Sequence, residues 1–356
     1  MKAAVWLRAG EASRVEEVDL SPVGRGEVMV ELAAAGVCHS DLHLALGHLG
    51  THRFPTVLGH EGAGVVTDVG TDVSSVVVGD HVAFCFLPSC GACRPCLRGH
   101  PNLCEPGSQS AFAGTMLDGS HRMSRSEDGS KLAQFLSIGA FSERTVVPAR
   151  SVVKMPEGLA VEHMALLGCA VVTGFGAVRN AARVGPGDRV AVIGCGGVGM
   201  QVIAAAVRAG AAEVVAIDGI ESKEGLARAQ GATDFRSADD AGENYDYVFE
   251  VVGRPETIET AWRLTGPGGA VIVVGIAPAG STASIAAIDF ASQKSLIGSF
   301  YGSGDPAVEI ALLAESVRKG EIDLSRTVSH HTDLAGIDEA FGRMQRGEGA
   351  RTVVEF

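Results

Sequence analysis

The sequences CHSDLH at residues 38–43 and GHEGAG at residues 59–64 are the two ends of the stretch around which the chain is organised. A zinc ion that takes part in chemistry is held by three protein ligands, and its fourth position stays open for water or substrate. Cys38 and His60 can supply a thiolate and an imidazole, and Cys169 can supply a second thiolate from a later segment. We therefore predict a catalytic zinc site formed by these three residues. Taken singly, each of them could instead be a buried cysteine or a packed histidine.

A second set of cysteines has the spacing Cys90-x2-Cys93-x2-Cys96-x7-Cys104. Four thiolates leave no ligand position open, so this spacing predicts a closed, structural zinc site. The alternatives are four unrelated cysteines, an iron–sulfur cluster, and a zinc knuckle that binds nucleic acid. The bacterial ferredoxin pattern has three residues before its last cysteine and proline after it, whereas here seven residues intervene and Glu105 follows. A zinc knuckle would need histidine and more basic residues than Arg94 and Arg98.

The composition narrows the classes of partner and the cellular compartment. The chain of 356 residues carries a net charge of −13, which argues against binding to nucleic acid or to an anionic membrane. No secretory signal opens the sequence, so its eight cysteines are interpreted as metal thiolates and free thiols in a reducing cytoplasm. The apolar run at Val190–Val207 contains four glycines, which favours a buried strand, turn and helix over a membrane helix.

The stretch at 59–73 carries a resemblance to a known family. Gly59, His60, Glu61, Gly64, Gly70 and Val73 reproduce the spacing of the zinc signature of zinc-dependent medium-chain alcohol dehydrogenases, and the chain resembles that family over essentially its whole length. The resemblance implies a reversible hydride transfer between NAD and a small alcohol or aldehyde, with two zinc ions per chain. Glu61, next to His60, is a candidate carboxylate beside the zinc ligands or a transient fourth ligand.

A proton route is predicted at Ser40 and His43. An alcohol bound to zinc loses its proton before hydride leaves, and a hydroxyl followed by an imidazole can carry that proton to water. In the family, the positions matching Ser40 and His43 do this through the cofactor ribose, and the position matching His39 contacts the cofactor pyrophosphate. The alternatives are a helix N-cap for Ser40 and an ordinary surface position for His43.

The sequence GCGGVG at residues 194–199 predicts a dinucleotide site. It follows the apolar strand 190–193 and opens a helix, and Asp218 lies nineteen residues further on, at the end of the next strand. Asp218 would accept hydrogen bonds from the ribose hydroxyls and repel a 2′-phosphate, which favours NAD over NADP. Lys223 matches a family position on the same ribose, with an ordinary exposed helix lysine as the alternative. The predicted cofactor contacts are His39, Thr173, Gly194, Gly196, Gly197, Val198, Gly199, Asp218, Lys223, Val252, Val274, Gly275, Ile276 and Arg351, the last on the pyrophosphate.

The pattern of strands, turns and helices predicts an α/β fold with two domains. A β-rich pattern precedes Cys169, and strands alternate with helices after it, which predicts a doubly wound parallel sheet. With the resemblance, this becomes a GroES-like catalytic domain with a structural-zinc lobe at 1–170 and 301–356, and a Rossmann NAD-binding domain at 171–300. The cleft between them would hold the open zinc and the nicotinamide. The polar segment Gly107–Gly139 resembles the extra loop of dimeric members and implies a homodimer; a disordered surface loop is its alternative.

The substrate class is predicted from the residues expected to line the pocket. Family positions that line the pocket correspond to Phe86, Phe135, Leu136, Ile276 and Phe300, which favour a primary alcohol or aldehyde with a hydrophobic or aromatic body. The alternative is a formaldehyde dehydrogenase that acts on an S-hydroxymethyl thiol. Its glutathione-using members carry an arginine soon after the last structural cysteine and an acid after the relay histidine, whereas this chain has EPGS at 105–108 and LGTH at 49–52. A zinc protein that binds NAD without catalysis is a remote alternative.

Overall fold

The computed structural model describes residues 1–48 and 54–356, which form two compact units. The first, here the mixed-β unit, comprises Met1–Cys169, Asp305–Arg346 and Arg351–Phe356, and the second, the parallel-sheet unit, comprises Ala170–Gly304 and Gly347–Ala350. The GroES-like and Rossmann ranges given above stay predictions.

The strands form a barrel and a sheet in the mixed-β unit and one sheet at the centre of the other unit. They are β1 Lys2–Trp6, β2 Arg14–Leu20, β3 Glu27–Gly36, β4 Thr56–Val57, β5 Glu61–Val69, β6 His81–Phe84, β7 Met123–Arg125, β8 Lys131–Gln134, β9 Arg144–Pro148, β10 Val152–Lys154, β11 Arg189–Ile193, β12 Glu213–Ile217, β13 Asp234–Arg236, β14 Tyr245–Glu250, β15 Thr265–Val273, β16 Ser295–Gly298, β17 Val328–Thr332 and β18 Arg351–Glu355.

The helices of the described residues are four to thirteen residues long. They are α1 His39–Ala45, α2 Arg94–Leu97, α3 Glu105–Ala113, α4 Val161–Leu166, α5 Val172–Gly176, α6 Gly197–Arg208, α7 Glu224–Ala229, α8 Pro255–Leu264, α9 Pro306–Arg318 and α10 Ile337–Gln345. Between α4 and α5 the backbone forms a π-helical turn at Leu167–Val171, a feature that is common at functional sites.

The mixed-β unit contains a closed barrel in the order β1-β2-β7-β8-β4 and a sheet in the order β10-β6-β5-β3-β18-β17, with β9 also paired to β3. The pairing of β3 brings distant segments together, because Gly36 lies opposite Glu61 of β5 and opposite Val353 of β18. A Cβ atom on Gly36 would meet the Glu61 carboxylate, so a side chain at this position would displace that group. The register thus places Cys38, Glu61 and Arg351 at one end of the sheet.

The parallel-sheet unit has the strand order β13-β12-β11-β14-β15-β16, with every neighbouring pair parallel. This is the order of a doubly wound dinucleotide-binding sheet. Along β11, Val190 and Val192 pack into one apolar cluster while Ala191 and Ile193 pack into another on the opposite face. Both faces are therefore covered, as a parallel sheet requires, and the predicted α/β fold class is confirmed.

Two segments needed correction or closer definition. The segment Gly107–Gly139 is not a disordered loop, because it carries most of α3 and the β7–β8 hairpin that helps to close the barrel. Its end docks as expected, since Phe135 is only 2% exposed and Phe141 is fully buried.

The run Val190–Val207 forms a strand, turn and helix. The helical stretch Val161–Ala182 is apolar and long enough to cross a membrane, but 78% of its most apolar window is buried, as in a core helix.

Candidate active site and structural metal centre

The residues predicted to hold the catalytic zinc meet at one end of the β3–β5 pair. Cys38 is the N-cap of α1, His60 lies just before β5, and Cys169 lies in the π-helical turn. Together with Glu61, these residues place one candidate ligand atom each within 4.8 Å of one another, and all of them are buried. The His60 Nε2 atom lies 3.3 Å from the Cys169 Sγ atom.

Asp41 holds this arrangement together and was not recognised in the sequence. Its Oδ1 atom accepts from the Gly59 amide at 2.9 Å and lies 3.1 Å from the His60 Nδ1 atom, while Oδ2 accepts from the Cys38 amide at 3.2 Å. A hydrogen bond at Nδ1 fixes the ring so that Nε2 faces the cysteines. The available signal was an acid three residues after the N-cap, the spacing of a capping box.

Glu61 and Arg351 form a buried ion pair beside the cysteines. The Arg351 Nη2 group donates to the Glu61 Oε1 atom at 2.6 Å and lies 3.5 Å from the Cys38 Sγ atom, and Nη1 donates to the Val37 carbonyl. The Glu61 Oε2 atom is buried and has no hydrogen-bond partner among the described residues. The predicted contact of Arg351 with the pyrophosphate stays a prediction, and the structure directs its guanidinium to these other partners.

The charges in this cluster favour a bound cation. The hydrogen bond with Cys169 lowers the pKa of the Cys38 thiol well below its ordinary value, and the same bond raises that of Cys169. Burial acts to lower the pKa of His60, but Asp41 and Cys38 together raise it, and the net shift is upward. Burial raises the pKa of Glu61 to about 7, against the charge of Arg351. A divalent ion is what would let both thiols ionise together.

The donor set fits zinc in distance as well as in chemistry. Tetrahedral zinc, with Zn–S of about 2.3 Å and Zn–N of about 2.0 Å, separates its ligand atoms by roughly 3.3–3.8 Å. A nitrogen and a sulfur ligand of such an ion are about 3.5 Å apart, and the 3.3 Å between His60 Nε2 and Cys169 Sγ is close to that value. The orphaned Glu61 Oε2 atom is an additional oxygen within reach of the cluster.

The four-cysteine set is assembled from a single short segment. Cys93 Sγ lies 3.4 Å from Cys96 Sγ and 3.9 Å from Cys104 Sγ. The Cys90 sulfur accepts from the amides of Ala92 and Cys93, which lowers the pKa of Cys90 to about 6. Burial and the neighbouring Cys93 thiol raise the pKa of Cys96 to about 12, so four thiolates need a cation between them. The site fits a closed structural zinc.

The predicted relay residues lie on α1. Ser40 is the second residue of the helix, so the N-cap alternative for it is wrong, and its Oγ atom lies 3.8 Å from the Cys38 Sγ atom. His43 is half-buried, and its Nδ1 atom lies 3.2 Å from that of His48. Burial and the charge of His48 lower the pKa of His43. His39 is exposed, with its ring 6.3 Å from that of His43.

The dinucleotide fingerprint has the predicted context. Gly196 is the N-cap of α6, and Gly197, Val198 and Gly199 form its first turn. A Cβ atom on Gly199 would lie 1.8 Å from the Gly194 carbonyl, so the turn requires glycine there. Asp218 follows β12 and accepts from the amides of Cys195 and Ile220. Contrary to the exposed-lysine alternative, Lys223 is only 7% exposed and its Nζ atom donates to the Gly349 carbonyl.

The remaining predicted cofactor positions also lie in the parallel-sheet unit. Thr173 is in α5, Val252 follows β14, and Val274, Gly275 and Ile276 follow β15. Val252 and Ile276 are exposed, although both are apolar. The carboxylate of Glu250, which the sequence reasoning did not single out, accepts from the amides of Val252 and Gly253 and so shapes this loop.

The predicted pocket residues fall in both units. In the mixed-β unit, the rings of Phe86 and Phe135 pack edge-on against His60, with centroids 5.4 and 5.5 Å away. Leu136 is buried next to Phe135. Ile276 and Phe300 belong to the parallel-sheet unit. An apolar wall therefore adjoins the histidine of the candidate zinc site.

Comparison with known proteins shows the family of the chain. Residues 24–157 match the model of the alcohol dehydrogenase GroES-like domain, and residues 197–316 match that of the zinc-binding dehydrogenases. S-(hydroxymethyl)glutathione dehydrogenase of Synechocystis sp. is 36% identical over 368 residues, which cover 100% of this chain and 99% of that protein.

Solved structures give the same result. Benzyl alcohol dehydrogenase from Acinetobacter calcoaceticus has a TM-score of 0.92 at 27% identity and covers 100% of this chain and 99% of its own. Acetophenone reductase from Geotrichum candidum, solved in complex with NAD, has a TM-score of 0.81 at 26% identity, over 100% of this chain and 97% of its own. The predicted resemblance is confirmed: the chain belongs to the zinc-dependent medium-chain alcohol dehydrogenases and is an oxidoreductase whose cofactors are zinc and NAD.

Proposed function

We propose that this enzyme transfers hydride between NAD and a primary alcohol or aldehyde with a hydrophobic or aromatic body. The observation that carries the proposal is the pair of phenyl rings packed edge-on against His60, both within 5.5 Å of the imidazole. Such a wall offers apolar contact and no charged anchor to whatever approaches the ligand cluster. The family positions at Leu136, Ile276 and Phe300 are also apolar, which supports the same class of substrate.

Each cluster has a proposed role in the reaction. Cys38, His60 and Cys169 hold the catalytic zinc, which when bound supplies Lewis-acid polarisation of an alcohol or carbonyl oxygen. Asp41 fixes the orientation of His60, and Glu61 with Arg351 balances charge beside the cysteines. Cys90, Cys93, Cys96 and Cys104 hold the structural zinc.

Other residues transfer the proton and bind the cofactor. Ser40 accepts the hydroxyl proton of the substrate, and His43 passes it towards water. The amides of the 194–199 turn bind the pyrophosphate at the N-terminus of α6, and Asp218 binds the ribose hydroxyls. A wild-type enzyme that uses NADP as efficiently as NAD would contradict this role of Asp218.

The relatives named S-(hydroxymethyl)glutathione dehydrogenase give the second candidate function. Against glutathione itself, the first residue of α3 is an exposed acid, Glu105, which repels the carboxylates of that tripeptide. Gly107 cannot be the missing anchor, because a Cβ atom there would lie 2.3 Å from the Pro88 carbonyl. The other anchor region, 49–52, lies outside the described residues. A different thiol carrier stays compatible with these features.

The deciding experiment measures NADH formation with an aryl alcohol, a short aliphatic alcohol and S-(hydroxymethyl)glutathione. We expect the highest kcat/KM with the aryl alcohol. Ser108→Arg should raise kcat/KM for the glutathione adduct alone, because it adds an anchor for a carboxylate, and Ser108→Gln is the matched uncharged control. A wild-type preference for the glutathione adduct would overturn the proposal.

We also propose a cytoplasmic homodimer. Strand β16 is the edge of its sheet, and nearby apolar side chains are exposed: Leu296 by 43%, Phe290 by 50% and Ile288 by 77%. Exposed apolar groups beside a sheet edge are typical of an interface. Sedimentation should give a dimer for the wild type and a monomer for Leu296→Lys; a monomeric wild type would contradict the proposal.

A further inference from the structure

His48 lies just beyond the end of α1, beside the proposed relay residue His43, and has no role in the mechanism above. The helix ends at Ala45, and Gly47 adopts a left-handed conformation with φ of 79°. The His48 amide then donates to the His43 carbonyl, and the Gly47 amide donates to the Leu44 carbonyl, both at 2.8 Å. These two bonds form a Schellman motif, which fixes the residue after the glycine over the last helical turn. The backbone therefore holds His48 against His43.

The side chains meet through specific atoms. The Nδ1 atoms of His43 and His48 are 3.2 Å apart, and the ring centroids are separated by 5.5 Å. At that distance one ring donates a proton and the other accepts it, because two protonated nitrogens would repel each other. His43 is half-buried, whereas His48 is exposed, so the pair runs from the interior to solvent.

We propose that His48 is a second relay residue, which takes the proton from His43 and delivers it to water. The inference rests on the proposed role of His43. A proton that arrives at Nε2 of His43 makes an imidazolium, which releases its Nδ1 proton to Nδ1 of His48. His48 then releases its Nε2 proton to water, and exchange with water restores both starting tautomers. One proton enters and one leaves, and no redox partner is needed.

The surrounding charges are compatible with this direction of transfer. Burial is the main cause that lowers the pKa of His43, the charge of His48 adds to it, and Cys38 opposes it, so an extra proton is not retained on His43. His39 is the other ionisable group that faces His43 on α1. Helix α10, which packs on α1, carries charges that are paired elsewhere, namely Asp338 with Ser13, and Glu339 with Arg343 and Arg346.

Chelation of a metal is the other chemistry open to two facing imidazoles. Two nitrogens supply only half of a tetrahedral ligand set, and the pair belongs to no cluster of three or more candidate ligands among the described residues. The geometry therefore favours proton transfer between the two histidines over metal binding.

The test compares single-turnover hydride transfer in the zinc- and NAD-loaded wild type, His48→Gln, His43→Gln and the double variant. His48→Gln should slow the step near neutral pH by roughly tenfold, less than the about 10²-fold of a direct acid–base group. The loss should vanish at high pH, where hydroxide takes the proton, and added imidazole should reduce it. His81→Gln, a change at an exposed histidine on β6, is the matched control and should leave the pH profile unchanged.

The double variant separates the relay from an unrelated effect. If His48 acts through His43, the double variant should be no slower than His43→Gln. Additive losses, or a His48→Gln enzyme with the wild-type pH profile, would overturn the proposal. If His43→Gln slows the reaction and His48→Gln does not, only the extension to His48 fails. If neither slows it, the proposed relay itself is wrong.

Discussion

The two metal-ligand clusters of the mixed-β unit are built in opposite ways. Cys90, Cys93, Cys96 and Cys104 come from a segment of fifteen residues, and that segment's own amides bond two of the sulfurs. The cluster of Cys38, His60, Glu61 and Cys169 is collected from three distant segments and is fully buried. Its ligands are held from outside by Asp41 and Arg351.

The two clusters therefore depend on their metal ions to different extents. In the four-cysteine lobe, α2 contains no buried residue, so the metal itself has to hold the segment together. In the open cluster, the sheet register and a network of buried hydrogen bonds place the ligands. Loss of the ion should therefore unfold the first cluster and leave the second nearly intact.

The largest expected effect is that of Cys93→Ser. Structural zinc contributes about 10–16 kcal/mol in zinc-finger peptides, as much as the whole stability of a typical domain. We expect aggregation or a strongly lowered thermal midpoint, together with loss of zinc by elemental analysis. A folded Cys93→Ser chain that retains two zinc ions would show that these cysteines are not metal ligands.

Cys169→Ser should abolish activity and preserve the fold. Removal of a Lewis acid worth about 4 kcal/mol in the transition state lowers the rate by roughly 10³-fold. The variant should contain one zinc per chain, against two in the wild type, with an unchanged circular dichroism spectrum. Cys85→Ser, a buried thiol outside both clusters, is the control and should keep both ions. Unfolding of Cys169→Ser would erase the contrast between the clusters.

The same contrast explains what could be predicted from the sequence. The four cysteines lie within one short segment, so their spacing alone identifies all four ligands. The open cluster was predictable because Cys38, His60 and Cys169 are residue types that suit zinc and because the residues around His60 keep the spacing of the family's zinc signature. Arg351 could not be predicted as a partner, because its pairing with Glu61 depends on the register between β3, β5 and β18.

In other parts of the chain, local sequence patterns predicted the secondary structure correctly, whereas polar composition did not. The alternation of strands with helices after Cys169, together with the glycines that follow β11, predicted the parallel sheet correctly. The segment 107–139 was interpreted as a polar loop, because its charged side chains hid a helix and a hairpin. Lys223 carries a charge and is nevertheless buried, because the Gly349 carbonyl accepts from it. Long-range partners of this kind leave no sequence pattern.

A smaller effect is expected from Asp41→Asn. An asparagine has one acceptor oxygen, so it cannot serve the amides of Cys38 and Gly59 and the His60 ring together. We expect a roughly 10–100-fold loss of affinity for the catalytic zinc, measured by competition with a chelator, while the second zinc stays bound. Asp338→Asn, whose carboxylate accepts only from Ser13 among the hydrogen bonds described, should leave both affinities unchanged.

The smallest effect is expected from Arg150→Ala, a change just outside the four-cysteine lobe. The Arg150 Nη1 group donates to the Ser89 carbonyl at 2.8 Å, next to the first ligand, in an exposed position. Exposed contacts of this kind change stability by no more than about 0.5 kcal/mol. Because the lobe's own amides bond the sulfur of Cys90, Arg150→Ala should leave its zinc affinity within about twofold of the wild type.

Chelator competition on Arg150→Ala and Asp41→Asn, run side by side, makes that comparison quantitative. Each variant removes a single supporting side chain next to one ligand cluster. A tenfold loss of structural zinc in Arg150→Ala would mean that the lobe is held from outside, like the open cluster. If Arg150→Ala keeps its full affinity for the structural zinc while Asp41→Asn loses affinity for the catalytic zinc, the four-cysteine cluster is self-contained and the open cluster is assembled by the fold.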